Sequence, residues 1–401
     1  MQPPELPGTT PRILCVRLDN TGDVVLTGPA ARAIRMAYPG ARIDLLTSRA
    51  GAAATRLLPW YDSAITARVA WQDASGDLAQ DPGRELGLIS SIAARRYDAA
   101  VIFRSFSQTP WPVAYALYLA GIPIRVAHAT DFGGSVLSHV VPPPPSPVHE
   151  ADRDNHLVTA MGIPVAEPGL AIAVDESARD DAAGLLGVPR AHDAPGPAGT
   201  DDRPVLLVAP GASCSSRRLD ASAAVTAAGA IARRAGMRVV VTGTAREAEL
   251  SGVVAAGSAG LDLAGRTELP VLAALVERAA LVLTGNSLVM HLADALRRPV
   301  VVLYSGTDLP EHWRPRFTSH VLLQREVACA PCHLFDCPIG RPCLDVPTGE
   351  VVEAGLRLLG TEMLRRVVVP GRPVGRAMTG DEAAQRWPGI ERSRAWTAFA
   401  S

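Results

Sequence analysis

The chain has 401 residues, 48% hydrophobic and 20% charged, which is enough apolar sequence for two cores of ordinary domain size. A formal net charge of −1 and a pI near 6.8 exclude both the basic surface of a nucleic-acid-binding protein and an acidic tail. All 39 basic residues are arginines, a bias that we attribute to a GC-rich genome, so any phosphate clamp must use guanidinium groups.

The N-terminal residues, MQPPELPGTTPR, lack the basic and apolar regions of a signal peptide. No apolar run reaches the roughly 18 residues that would indicate a membrane span. The sequence therefore predicts a cytoplasmic protein with at most peripheral membrane contact.

The first half of the chain alternates between strand-like and helical patterns. Strands are predicted at residues 12–18, 41–47, 64–70, 97–103 and 124–127. Helices are predicted at residues 24–38, 51–58, 111–120 and 151–161. Residues 71–84 and 131–149 are rich in turn-forming residues or proline and are predicted to be irregular. The alternation indicates a parallel sheet with helices on both faces.

A second alternation of the same kind follows a stretch rich in proline, glycine and aspartate. We predict a domain at residues 1–188, a linker at 189–203, a second domain at 204–350, and a crossover helix with a tail at 351–401. The fold class is therefore predicted to be α/β, with two Rossmann-like domains facing each other across a cleft.

The stretch from Leu281 to Trp313 predicts a phosphate site. A short strand, a turn from Thr284 to Ser287 and a helix beginning near Ser287 are followed by another strand. The start of that helix would present backbone N–H groups and the positive end of its dipole at the edge where open α/β sheets bind ligands. His291 falls in the first turn and could donate to the same anion, with a capping or packing histidine as the alternative.

Seven segments in chain order carry a family resemblance. They are RLDNTGDVVLTGPAARAIRMAYPGARIDLLT, YDAAVIF, APGASCSSRR, GTAREAEL, GNSLVMHLADAL, YSGTDLPEHW and a cysteine cluster. In this order they resemble the heptosyltransferase family of GT-B glycosyltransferases, glycosyltransferase family 9, over residues 12–359. The resemblance implies inverting, metal-independent transfer of heptose or a related sugar from a nucleotide diphosphate to an acceptor hydroxyl. The implied defaults are ADP-heptose as donor and lipopolysaccharide core as acceptor.

The resemblance places the acceptor in the first domain. It assigns Asp23, in the loop after the first strand, as the general base that takes the proton of the attacking hydroxyl. Asp19, Asn20 and Arg104 are implied on the acceptor side. The alternative for Asp23 is an ordinary helix cap.

The resemblance places the nucleotide sugar in the second domain. The implied donor-binding residues are Ser213, Arg217, Arg218, Glu247, Asn286, Ser287 and His291. Arg217 falls nearest a lysine that the family supplies to the donor phosphate, and Glu247 matches an acidic residue that holds the ribose. Compensation of a helix dipole is the alternative for Glu247. Family members have an aspartate and a glycine where this chain has Asn286 and Leu288, so we expect a different donor sugar.

Two further patterns involve metal chemistry. Cys329, Cys332, Cys337 and Cys343 have C-x2-C-x4-C-x5-C spacing, which fits a structural zinc ion or a set of reduced thiols. No cofactor is expected for catalysis. The sequence Asp152-Arg153-Asp154 is nominally an Asp-x-Asp motif, and its place at a predicted helix start favours a cap.

Two other functions stay open. A natural-product glycosyltransferase with a hexose donor fits a GC-rich source that makes no lipopolysaccharide. A non-catalytic nucleotide-sugar-binding protein would keep the donor site without needing Asp23. A nicotinamide-dependent dehydrogenase is disfavoured because neither first turn contains G-x-G-x-x-G. The expected partners are a nucleotide-diphosphate sugar and a hydroxyl acceptor, either a lipid-linked saccharide or a natural product, and no nucleic acid.

Overall fold

The computed structural model describes residues 4–73, 76–106, 108–188 and 201–367, with only the backbone described from residue 361. The chain divides into two units between Leu170 and Ala171. This division precedes the boundary predicted at residue 188, because the helix at Glu176–Leu186 bonds into the second unit: Arg179 donates to both carboxylate oxygens of Glu277, at 2.7 and 3.0 Å. Most of the predicted linker and the tail beyond residue 367 lie outside the described residues.

The first unit contains a sheet of six parallel strands. These strands are β1 (Arg12–Arg17), β2 (Arg42–Thr47), β3 (Ser63–Thr66), β4 (Ala99–Ile102), β5 (Ile124–His128) and β6 (His139–Val141). Their order across the sheet is β3-β2-β1-β4-β5-β6. The central strands β1 and β4 are almost entirely buried, as expected for parallel strands with helices on both faces.

The helices of the first unit are α1 (Thr21–Leu26), α2 (Gly28–Ala37), α3 (Arg49–Ala52), α4 (Pro82–Ala93), α5 (Trp111–Leu119) and α6 (Glu150–Ala160). In the first unit, two elements were missed in segments predicted to be irregular or left unassigned. Helix α4 is largely exposed, so its hydrophobic pattern is weak, although Asp81 caps it and Pro82 opens it. Strand β6 has only three residues and lies at the sheet edge.

The second unit repeats this architecture. Its strands are β7 (Val205–Ala209), β8 (Arg238–Val241), β9 (Leu261–Asp262), β10 (Ala279–Gly285), β11 (Val300–Leu303) and β12 (His320–Leu323). Its helices are α7 (Glu176–Leu186), α8 (Ala221–Ala235), α9 (Ala248–Ser258), α10 (Leu269–Arg278), α11 (Leu288–Ala295), α12 (Pro310–Trp313) and α13 (Thr348–Val367). Within the described part of the chain, no helix combines the length and apolar character needed to cross a bilayer.

The two sheets share one topology. The second sheet has the order β12-β11-β10-β7-β8-β9, and all of its strand pairs are parallel. Counting from the first strand of each unit, both orders are 3-2-1-4-5-6, which is the doubly wound arrangement of dinucleotide-binding folds. The α/β prediction with two Rossmann-like domains is therefore confirmed. In such sheets the strand order reverses between strands 1 and 4, and ligands bind beyond the carboxyl ends of those strands.

Candidate functional site

One buried cation, Arg17, lies at the switch point of the first sheet. It is the last residue of β1, and its side chain is 0% exposed. Its Nε lies 2.7 Å from Asp19 Oδ2, and its Nη2 donates to Ser105 Oγ at 2.7 Å. Its Nη1 donates to Glu150 Oε1 at 2.9 Å. Burial disfavours the charged guanidinium, but the carboxylates outweigh this and raise the pKa of Arg17 above its usual value.

Asp23, the predicted base, lies beside this cation. Its Oδ1 is 3.5 Å from Arg17 Nη2, and its side chain is 18% exposed. Burial raises the pKa of Asp23 to about 7, and the charges of Asp19 and Glu150 add to the rise while Arg17 opposes it. A carboxylate with this pKa is partly ionised at neutral pH, as a general base requires. Its Oδ2 also accepts from the backbone N–H of Asn20 at 3.1 Å. Asp23 therefore also helps to cap the start of α1.

The predicted acceptor-side aspartate, Asp19, is held from three sides. Besides its contact with Arg17, its Oδ1 accepts from Gln72 Nε2 at 2.8 Å and from Gln108 Nε2. The neighbouring Asn20 is exposed. The loop after β1 is thus pinned by side chains from the segments that follow β3 and β4, which fixes the position from which Asp23 projects.

Arg104, also predicted on the acceptor side, bonds mainly to backbone. Its Nε donates to the carbonyl of His128 at 3.0 Å, and its Nη1 donates to the carbonyls of Ser105 and Gln108. These bonds tie the loop after β4 to the end of β5. Burial and the charge of Arg153 lower the pKa of Arg104 to about 10.

Two carboxylates on α6 belong to this cluster and were not predicted. Glu150 opens the helix, and Asp154 lies one turn later with its Oδ2 3.8 Å from Arg17 Nη1. The interpretation of Asp152-Arg153-Asp154 as a cap was wrong. The N-cap is His149, whose Nδ1 accepts from the N–H of Ala151 at 3.2 Å. A usable signal was present, since carboxylates four residues apart at a helix start share one face.

At the switch point of the second sheet, Arg217 is fixed by residues that sequence reasoning missed. Arg217 follows β7, and its Nε donates to Thr307 Oγ1 at 3.0 Å. Its Nη2 donates to Asp308 Oδ2 at 2.6 Å. Thr307 and Asp308 follow β11 and lie in the segment YSGTDLPEHW, but neither was named as a site residue.

The other predicted residues of this loop are placed differently. Ser213 is exposed. Arg218 has a buried Nε without a hydrogen-bond partner among the residues that the structure describes.

The cysteine-rich segment, residues 329–343, supports this arginine loop. Its carbonyl oxygens at Phe335 and Leu334 accept from the N–H and the hydroxyl of Ser216, at 3.1 and 2.7 Å. Arg341 Nη1 donates to the carbonyl of Arg218 at 2.6 Å. The segment therefore holds the backbone from which both arginines project.

Asn286 and Ser287 lie between β10 and α11, as predicted. Asn286 is buried, and its Oδ1 accepts from the N–H of Ser305 at 3.1 Å while its Nδ2 donates to Thr307 Oγ1 at 3.4 Å. The hydroxyl of Ser287 is 3.1 Å from Thr284 Oγ1 and does not cap α11. The N–H of Met290 bonds to the carbonyl of Ser287 at 3.1 Å, which leaves the N–H groups of Leu288 and Val289 for another acceptor.

His291 is the fourth residue of α11 and is 8% exposed. Its ring centroid is 6.5 Å from that of Trp313. Burial, then the charges of Arg217 and Arg316, lower the pKa of His291 to about 4. At neutral pH the side chain is thus a neutral imidazole that can donate one hydrogen bond.

Glu247 bonds to Thr244 and also lies against the loop after β7 in the second sheet. Its Oε2 accepts from both the N–H and the hydroxyl of Thr244, at 2.7 and 2.8 Å. Its Oε1 lies against Gly211, where an added Cβ would be only 2.1 Å away. Glycine at position 211 therefore allows the carboxylate to lie directly over the loop after β7.

The four clustered cysteines do not form a metal site in this structure. Each is a free thiol, with Cys329 exposed and Cys343 buried. No group of three or more His, Cys, Asp or Glu side chains in the described ranges is arranged to hold a metal ion. The observed arrangement does not fit zinc, and the predicted site stays a prediction.

A sequence model described as glycosyltransferase family 9 (heptosyltransferase) matches residues 87–341. The chain belongs to this family. No curated protein matches the sequence significantly.

Solved structures of the family share the fold. A family 9 glycosyltransferase from Veillonella parvula has a TM-score of 0.69 at 18% identity, covering 88% of this chain and 97% of that one. E. coli ADP-heptose lipopolysaccharide heptosyltransferase II has a TM-score of 0.67 at 21% identity, with coverages of 88% and 99%. E. coli heptosyltransferase WaaC with ADP-2-deoxy-2-fluoro heptose has a TM-score of 0.54 at 16% identity, with coverages of 88% and 99%. The GT-B-like fold is confirmed.

The family 9 match covers the two predicted sites unequally. All seven predicted donor-binding residues and Arg104 lie within residues 87–341. Asp19, Asn20 and Asp23 precede that range. The chain is a glycosyltransferase of the heptosyltransferase family. Because Asp23 lies outside the matched range, a role for it must be argued from the residues around it.

Proposed function

We propose that this family 9 glycosyltransferase inverts the anomeric centre of its donor, with Asp23 as general base and without a catalytic metal ion. The observation that carries the proposal is Asp23 itself: a partly exposed carboxylate at the switch point of a doubly wound sheet, with a pKa near 7. Enzymes tune a general base toward the working pH by such burial and charge. A cytoplasmic location is part of the proposal.

The reaction needs one proton transfer on the acceptor side. The acceptor oxygen forms a bond to the anomeric carbon while its proton passes to a carboxylate oxygen of Asp23. The bond between that carbon and the donor phosphate breaks on the opposite face, and its electron pair leaves with the nucleotide diphosphate. Asp23 in its ionised form makes the hydroxyl a better nucleophile, so turnover rises as Asp23 loses its proton.

The diphosphate is the group that gains charge on the donor side. The start of α11 offers backbone N–H groups, and His291 offers a neutral N–H. Arg217 and Arg218 supply positive charge from the loop after β7. Fixed donors and cations of this kind can stabilise a leaving diphosphate. Glu247 is our candidate for the ribose hydroxyls.

The family suggests which donor to test first. The similar E. coli proteins are described with ADP-heptose and an ADP-heptose analogue. We therefore propose an ADP-linked sugar as the first candidate, followed by other nucleotide sugars. A lipid-linked saccharide or a natural product is the proposed hydroxyl acceptor.

A donor screen tests the proposed function. Purified full-length protein is incubated with ADP-, GDP-, UDP- and dTDP-sugars, and thermal shift and donor hydrolysis are recorded. We expect one nucleotide class to raise the melting temperature and to be hydrolysed slowly without an acceptor. Binding without hydrolysis or transfer, unchanged in the D23N variant, would instead support a non-catalytic nucleotide-sugar-binding protein.

We predict that a hexose-type nucleotide sugar supports turnover at least as well as ADP-heptose. Both polar ends of the Asn286 side chain bond within the protein, to Ser305 and Thr307, and Leu288 replaces a glycine of the family. The site therefore has fewer free acceptors for sugar hydroxyls and less room. The measurement is kcat/KM for both donors with the same acceptor.

Two variants serve as matched controls for the donor prediction. N286D and L288G each restore one family residue, and we expect each to move the preference toward ADP-heptose. A tenfold wild-type preference for ADP-heptose, about 1.4 kcal/mol in transition-state binding, would refute the prediction.

Turnover should persist in EDTA, because the proposed stabilisation of the diphosphate uses N–H groups and arginines. The measurement is the initial rate before and after chelation, with Mg²⁺ and Mn²⁺ added back as controls. A strict requirement for either ion would contradict the proposal. Zinc analysis of the same sample, before chelation, tests whether Cys329, Cys332, Cys337 and Cys343 hold the predicted structural ion, since four thiolates are a common zinc ligand set.

A further inference from the structure

The carboxylates of α6 form a buried group whose role goes beyond the predicted base. Glu150 and Asp154 have side-chain exposures of 0% and 2%. Both face Arg17, at 2.9 and 3.8 Å. Glu150 Oε2 and Asp154 Oδ2 are buried without hydrogen-bond partners among the described residues. Buried carboxylates with unpaired oxygens cost stability, so their presence calls for an explanation.

The charges in this cluster do not balance around Arg17. Four carboxylates approach its guanidinium within 4 Å: Asp19, Asp23, Glu150 and Asp154. Arg153 and Arg104 also interact with the charges of this cluster, and both stay charged at neutral pH although burial lowers their pKa values. Like charges that share one site cannot all ionise, so the cluster retains a proton into the neutral range.

Glu150 acts on Asp23 from across the cluster. Burial raises the pKa of Glu150 and of Asp154, and the charge of Glu150 contributes to the raised pKa of Asp23. Glu150 also accepts a hydrogen bond from Nη1 of Arg17, and Nη2 of the same guanidinium lies 3.5 Å from Asp23 Oδ1. Glu150 therefore adds a negative charge near Asp23 and orients the cation that opposes it.

The remaining elements packed against α1 carry cations. Helix α2 carries Arg32 and Arg35, which pair with Glu167 and Asp62, both at 2.8 Å. Helix α3 and the turn at Ala53–Leu57 carry Arg49 and Arg56. The other charged or titratable groups on α6 are Asp152, Arg153 and His156. The carboxylates that meet Arg17 beside Asp23 from another helix are thus those of Glu150 and Asp154.

We propose that Glu150 is a positioning residue for the base: through Arg17 and through its own charge, it sets the pH at which Asp23 gives up its proton. This role rests on the proposed function of Asp23. It does not require Glu150 to touch either substrate. Asp154 assists from a greater distance.

The test is the pH dependence of kcat/KM in full-length protein, with wild type compared with E150Q. The wild-type profile should rise with an apparent pKa near 7. In E150Q a like charge is lost and Arg17 is freed toward Asp23, so the rise should move by about one pH unit or more to lower pH. The maximal kcat should fall several-fold, because a weaker base accepts a proton less readily.

Matched variants separate this role from a general change of charge. E167Q removes the same charge from the same unit, where the Glu167 side chain is 70% exposed and pairs with Arg32. Its profile should coincide with that of wild type. D154N removes a carboxylate with no hydrogen bond to Arg17 and should shift the profile in the same direction as E150Q, by less.

Three outcomes of these measurements are distinguishable. Profiles of E150Q and D154N that coincide with wild type, together with loss of turnover in D23N, would overturn the positioning role alone. Wild-type turnover in D23N would overturn the base and the positioning role that depends on it. If E150Q does not fold, D154N decides, since an unshifted D154N profile would refute coupling through Arg17.

Discussion

Replacing Asp23 by asparagine is expected to lower kcat for sugar transfer by about 10²–10⁴-fold, the contribution of a general base. The amide keeps the size of the side chain and an oxygen that can accept from the N–H of Asn20, which donates to Asp23 at 3.1 Å. Helix α1 therefore keeps this bond while the proton acceptor is lost. The measurement is the initial rate of transfer at saturating donor and acceptor.

Donor affinity should stay close to wild type in D23N, because the predicted donor-binding residues are all in the second unit. Isothermal titration with the nucleotide diphosphate checks this. D81N is the matched control: Asp81 caps α4 by accepting from the N–H of Gly83 at 3.0 Å and has no place in the site. Wild-type turnover in D23N, or an equal loss in D81N, would remove the role given to Asp23.

The sheet edges that carry both sites could be predicted from sequence because parallel strands have strong local signals. Continuous apolar runs such as β7 and β10 are buried on both faces. Polar loops after the first and fourth strands of a unit then meet at the switch point. This reasoning predicted the phosphate site with His291, whereas Asp23 and Arg217 were proposed from the family resemblance.

The partners that set the chemistry of these residues could not be predicted locally. Glu150 is 133 residues from Arg17, and no periodicity relates them. Asp308 is 91 residues from Arg217. Both pairs form because strand order and helix packing bring distant loops to one sheet edge, which a single sequence does not encode in any short window.

Asn286 lies in the predicted turn, but its hydrogen-bond partners were not predicted. The sequence placed it in the turn before α11, where the structure also has it. Its amide, however, bonds to Ser305 and Thr307 in the loop after β11. Because β10 and β11 are parallel neighbours, their following loops meet, and the amide is used to join them. The predicted donor preference therefore rests partly on a contact that only the three-dimensional structure shows.

Replacing Arg17 by methionine is expected to lower the free energy of unfolding by about 3–5 kcal/mol at neutral pH, as when one partner of a buried ion pair is removed. Arg17 and Glu150 are each 0% exposed, so solvent does not screen the carboxylates left behind. Urea denaturation followed by circular dichroism measures the change. The loss of unfolding free energy should exceed that caused by the same substitution at an exposed arginine.

The stability deficit of R17M should depend on pH, which a simple loss of packing would not cause. Without the guanidinium, the pKa of the folded-state carboxyl groups, already raised at Asp23 and Glu150, rises further above that of the unfolded chain. Folding then takes up protons, so the deficit of R17M should be smallest near pH 5 and should grow as the pH rises through 7 toward 8. R68M is the control, because Arg68 is 60% exposed and its pair with Asp73 at 3.2 Å contributes less than about 1 kcal/mol. A deficit in R17M that is independent of pH, or equal to that of R68M, would mean that the carboxylates around Arg17 do not depend on its charge.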